Sequence, residues 1–88
     1  MSYIRYMDKS FHLQKLGQSF KTLRTHRGLT QADLAHLAGV SRLRVIDIEA
    51  GRDSVSIGSH AKLAAALGAE LTLLPRTRPT LEELKDFQ

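Results

Sequence analysis

The stretch "LTQADLAHLAGVSRLRVIDIEAG", Leu29 to Gly51, holds two short helical patterns with a glycine between them. Thr30 is placed to cap the first, Asp33 sits in its first turn, and Leu34, Ala35 and Leu37 supply an apolar side before Gly39 ends it. Ser41 is placed to cap the second, which runs to about Ala50 and stops at Gly51. The connection between the two is therefore very short. At about 100° per residue the second helix has apolar residues on both sides. Val45 and Ile48 share an arc with Glu49, while Leu43 and Ile46 share the opposite arc with Arg42, Asp47 and Ala50. Once one face packs, the other is left over.

Upstream, Leu13, Leu16, Phe20 and Leu23 recur at spacings of three and four with Lys15, Lys21 and Arg24 between them, which predicts a helix stopped by Gly28. Residues 1–11 mix aromatics and charges without a period and read as an N-terminal arm. Downstream, "RDSVSIGS" reads as a polar loop, with Ser59 capping a helix over "HAKLAAALG". "AELTLLPR" then mixes Leu and Thr directly before Pro75, and the residue before a proline favours extended geometry. Glu70, Leu71, Thr72, Leu73 and Leu74 are thus read as a short strand. Thr80 with Glu83 matches a capping box for a terminal helical turn.

A lone strand leaves backbone groups unpaired, which is costly and prone to aggregation. Two resolutions follow: pairing with the same strand of a second copy, or a tail that covers the chain's own helices. The first gives an all-α helical domain with one C-terminal β-strand pairing across a homodimer. The layout is then an arm (1–11), a helical unit (12–68), a dimerisation strand (69–75) and a flexible tail (76–88).

At 88 residues the chain is expected to form one domain with a limited core, for which a second copy would add stability. It has no Cys, which excludes disulfides, thiolate zinc sites and cysteine nucleophiles and fits a reducing cytoplasm. No apolar run approaches membrane-spanning length, so no membrane partner is expected. The formal net charge is +4, although residues 80–88 carry Glu82, Glu83 and Asp86 against Lys85 alone. The rest of the chain is therefore more basic than the whole, which suits either a polyanion partner or simple solubility. His12, His26, His36 and His60 form no ligand spacing and are read as surface or capping residues, so no metal and no cofactor is expected. No nucleophile triad or phosphate-cradling glycine loop is present, and no enzymatic activity is expected.

A helix, a glycine-containing turn and a second helix with a polar start form a helix-turn-helix arrangement. The combination of "GLTQ", "LA", "GVS" and "IEAG" at these spacings resembles the Cro/phage-repressor-like (XRE) family over residues 13–68. That likeness implies an all-α, five-helix domain of lambda-repressor type in which residues 12–68 bind DNA, with the C-terminal β-strand pairing across a homodimer. In that likeness Gln31 opens the first helix, Ala35 is the small residue where the helices approach, Val40 plugs the core and Ser41 opens the recognition helix. The resemblance implies that Val45 and Ile48 pack inward and that Arg24 and Glu49 form an internal ion pair. It also implies that Arg42, Leu43 and Asp47 read base edges, that Arg44 flanks groove and backbone, and that Gln31 and Arg52 touch phosphates. Leu43 and Ile46 depart from the polar residues usual there. Contact with thymine methyls, a protein interface or inert exposure all remain open for them.

The run "AKLAAALGAE" into "LTLLPRTRPTLEEL" is similar to HipB-type antitoxins. That likeness implies a homodimeric repressor of its own operon, bound to double-stranded operator DNA, whose tail engages a HipA-like kinase toxin. The alternative is a stand-alone regulator without a toxin, and a module used only for protein contacts is a third. The expected location is cytoplasmic, at the nucleoid when operator-bound.

Overall fold

The computed structural model describes residues 8–75, which contain α1 (Lys9–His26), α2 (Gln31–Ala38), α3 (Arg42–Ala50) and α4 (Ile57–Ala66). Each helix starts on a side-chain oxygen that accepts an N–H otherwise left over in its first turn. Asp8 accepts from Phe11 at 3.0 Å, and Ser41 accepts from Arg44 at 3.2 Å. Thr30 and Asp33 exchange bonds in a full capping box, both at 3.0 Å. The turn between α2 and α3 depends on Gly39, whose φ of 72° is a left-handed conformation that costs a residue with a Cβ more than it costs glycine.

The core is made by Phe20 of α1, Leu34 and Ala35 of α2, Val45 and Ile48 of α3, Leu63 and Ala64 of α4, and Leu67 just beyond it. Leu34, Val45, Leu63 and Leu67 are wholly buried, and Val40 packs against this cluster from the turn. Helix α3 touches all three of the others and so lies at the centre of the packing. Its approach to α1 is set by Gly17. A Cβ there would strike the carbonyl oxygen of Ile48 and come within 2.7 Å of that of Glu49.

Four expectations are corrected. The described residues hold four helices and no strand, so the five-helix fold with a C-terminal β-strand does not stand. Residues 69–75 have no regular structure, Glu70 to Pro75 are exposed, and Leu73 keeps 96% of its surface. Strand propensity reflects how well side chains fit a pleated surface, and the described residues offer Leu71, Thr72, Leu73 and Leu74 no such surface. Helix α1 begins at Lys9, inside the stretch read as an arm, because Asp8 supplies a cap before the apolar period starts. The cap of α4 is Ser56, three residues before the serine first assigned to it, so Ser59 lies inside the helix. His60, read as a surface or capping residue, is 4% exposed; its Nδ1 is 2.8 Å from the Ser56 carbonyl and its ring lies against Phe20. The expected terminal turn at residues 80–88, most of the N-terminal arm and the tail lie outside the described residues.

Candidate nucleic-acid interface

The two faces of α3 meet different surroundings. On the inner side, next to Val45 and Ile48, Glu49 has only 5% of its side chain exposed. Its carboxylate accepts Arg24 Nε at 2.6 Å, Arg24 Nη2 at 3.1 Å and Gln31 Nε2 at 3.1 Å. Arg24 spends its remaining nitrogen on the Leu29 carbonyl at 2.8 Å. This cluster ties α1, the start of α2 and the end of α3 together through charge-assisted bonds, which are shorter and stronger than neutral ones. A buried pair contributes little net stability, because desolvation offsets much of the attraction; its main effect here is to fix the rotation of α3.

That rotation leaves Arg42, Leu43 and Arg44 exposed at the start of α3, with Leu43 retaining 64% of its surface. Ile46 and Asp47 follow one turn later and are half-buried. Asp47 Oδ1 is 3.7 Å from Arg52 Nε, so the carboxylate and the last cation of this surface partly satisfy each other. Arg44 is held from the side, its Nη1 donating to Ser59 Oγ at 3.0 Å. Arg42 borders an open hollow that runs to Gly28, Thr30 and Gln31 at the start of α2. Gln31 donates one amide hydrogen into the Glu49 cluster, leaving its second amide hydrogen and the N-terminal N–H groups of α2 to meet an anion.

Three features are missed by the sequence reading. Lys9 Nζ and Asp53 Oδ2 are 2.8 Å apart and clasp the start of α1 to the α3–α4 loop. The bond and the charge of Asp53 raise Lys9 above its ordinary range, and those of Lys9 lower Asp53. Ser59 was read as a cap because Gly58 looked like the end of a loop. The S-x-x-S spacing of Ser56 and Ser59 carries the signal, since either serine can cap a helix, and the earlier one does so here. Gly17 also had a signal: it falls on the apolar stripe of α1, three residues before Phe20, where a glycine marks a close backbone approach.

A family model described as Helix-turn-helix matches residues 20–74. The immunity repressor protein of Bacillus phage phi105 is 34% identical over 68 residues, which is 77% of this chain and 47% of the repressor. The chain thus spans about half the length of that relative. An uncharacterized HTH-type transcriptional regulator of Methanothermobacter thermautotrophicus is 45% identical over 51 residues, 54% of this chain and 74% of the regulator. Among solved structures, the restriction-modification controller protein C.AhdI from Aeromonas hydrophila is 44% identical, with a TM-score of 0.62 over 67% of this chain and 89% of its own. A chain of the HipA-HipB-O2-O3 complex has a TM-score of 0.65 over 73% of this chain and 90% of its own, at 23% identity, and shares the fold.

Proposed function

Since the chain belongs to the XRE-type helix-turn-helix family of DNA-binding transcriptional regulators, we propose that it is a sequence-specific repressor that reads a two-fold operator as a homodimer. The observation that carries this reading is the division of α3. Its inner face is closed by Val45, Ile48 and the Arg24–Glu49–Gln31 cluster, while Arg42, Leu43 and Arg44 stand exposed at its polar start.

An α-helix fits the major groove of B-DNA, and these side chains have partners there. Arg42 donates a fork to guanine O6 and N7, Asp47 accepts from a cytosine amino group, and Leu43 with Ile46 packs on thymine methyls. Gln31, Ser41, Arg52 and the start of α2 meet phosphates, which set register and affinity but carry no base information. Two copies place their recognition helices in successive major grooves, about 34–36 Å apart.

The restriction-modification controller, 44% identical and covered over 89% of its length, favours a small regulator that acts without a toxin. The narrower role, antitoxin to a HipA-like kinase, rests on the resemblance of residues 61–84, since at 23% identity the HipB complex supports the fold alone. Capture of the full chain with its bound DNA and proteins separates these readings. One DNA sequence of two-fold symmetry is expected, with no kinase; a kinase encoded beside this gene and retained with it would establish the antitoxin role. Capture of no defined sequence would reject the repressor.

A further inference from the structure

Ser59 lies on α4, outside the two helices of the motif, and is 8% exposed. Its hydroxyl receives Arg44 Nη1 at 3.0 Å and sits 3.3 Å from Ser56 Oγ, which in turn accepts the Ser59 N–H at 3.2 Å. Ser56 is fixed in its own place, capping α4 and holding His60 Nδ1 on its carbonyl at 2.8 Å. The hydroxyl that meets Arg44 is therefore anchored on a helix packed in the core rather than on a loop.

The way Arg44 is held matters. Arg24 shows how the guanidinium divides in this protein: its Nε and Nη2 form the fork that grips the Glu49 carboxylate, while Nη1 goes to a neutral oxygen, the Leu29 carbonyl. Arg44 repeats half of that arrangement. Its Nη1 goes to a neutral oxygen, the Ser59 hydroxyl, and its Nε and Nη2 edge has no partner among the described residues. That edge presents two parallel donors, the geometry that matches guanine O6 and N7 or two oxygens of a phosphate.

We propose that Ser59 is a positioning residue for DNA recognition: it fixes the Arg44 guanidinium by one nitrogen so that the Nε and Nη2 fork is preset for a pair of acceptor atoms on the duplex. This rests on the operator-binding reading above. A free arginine must lose rotamer freedom when it binds, whereas a tethered one has lost it already, so the tether improves affinity and sharpens discrimination without touching DNA.

The test begins with sites selected by the full wild-type chain from a randomised duplex library. Arg44→Ala identifies the positions that depend on Arg44. Ser59→Ala is expected to weaken binding about three- to tenfold, the range for freezing one long side chain, and to relax preference at whatever positions Arg44→Ala relaxes. Ser59→Thr, which keeps the hydroxyl, should restore both. The double variant should bind no worse than Arg44→Ala alone. A loss confined to a salt-sensitive slope identifies phosphate as the acceptor pair, and a loss at one base identifies guanine. Effects of the two substitutions that simply multiply, or a Ser59→Ala variant in which affinity, salt slope and base preference are all unchanged, would overturn the proposal.

A readout free of both DNA and variants guards against misfolding: side-chain 15N relaxation of the wild-type protein. Arg44 Nε–H should be as ordered as that of Arg24, and mobility equal to that of exposed Arg52 would overturn the tether. Failure of the wild-type chain to select any site, with Arg44 ordered, would count against the DNA reading rather than the tether.

Discussion

Arg24 and Glu49 face each other in a two-pronged contact, Nε to Oε2 at 2.6 Å and Nη2 to Oε1 at 3.1 Å, with both side chains at least nine-tenths buried. Twenty-five residues apart in sequence, they join the first helix to the end of the recognition helix. Removing one partner leaves a buried charge with nothing opposite it. Glu49→Ala should therefore cost about 3–5 kcal/mol, whereas the double change Arg24→Met with Glu49→Leu should cost much less. Thermal melting of the two variants checks this, and equal losses would show that the pair itself, rather than an orphaned charge, supplies the stability.

Gly17 gives a second prediction. Alanine would gain about 1 kcal/mol of helix propensity there, but its Cβ would meet two backbone carbonyls of α3 that have no rotamer to change. Overpacking of this kind costs about 1–3 kcal/mol, so Gly17→Ala should melt lower than the parent. Because the strain falls on Ile48 and Glu49, it should also shift the amide signals of α3 more than those of α4. A rise in melting temperature would show that the helices can move apart freely.

Stability should fall on the acid side through Asp33 and Asp53. The Thr30 backbone N–H, followed by its hydroxyl, holds the Asp33 carboxyl below its ordinary value of 3.8. Lys9, chiefly through its hydrogen bond, does the same for Asp53. Each contribution is complete above 3.8 and is lost as pH falls through the lowered folded value. Lys9, raised above 10.5, contributes below that value and loses its part as pH rises through its folded value. Asp33→Asn should flatten the acid limb of melting temperature against pH. One molar salt, with a screening length of about 3 Å, should blunt the exposed Lys9–Asp53 contribution more than the capping box.

Much of the fold could be read from the sequence because the signals were local. Thr30 and Asp33, Gly39 and Ser41 each sit within one turn of what they cap, so side-chain chemistry alone fixed the boundaries of α2 and α3. The strand at residues 70–74 was misread for the opposite reason: strand character depends on a neighbour, and propensity in a short Leu–Thr run says nothing about whether one exists. The start of α4 is ambiguous in the sequence because Ser56 and Ser59 are both able caps, and either choice leaves Leu63 and Leu67 on the same face. The Ser59–Arg44 bond was illegible because no pattern in either helix refers to the other.

On the exposed face, Arg42→Ala should lose about 1–3 kcal/mol of discrimination at one base pair, the range for a forked contact. Leu43→Ala should lose about 1–2 kcal/mol at a thymine position if the side chain covers a methyl, in keeping with burial of part of a leucine. Unchanged base preference for Leu43→Ala would leave its exposure without a role in DNA reading. Site selection repeated with each variant checks both.

DNA reading by the open face of α3 can be checked by offering the full chain a randomised duplex library. The enriched sites should share one two-fold sequence whose half-sites are about one helical turn apart, and binding should weaken steeply between about 50 and 200 mM salt as phosphate contacts give up their counterions. A library that stays random, or an affinity indifferent to salt, would contradict it.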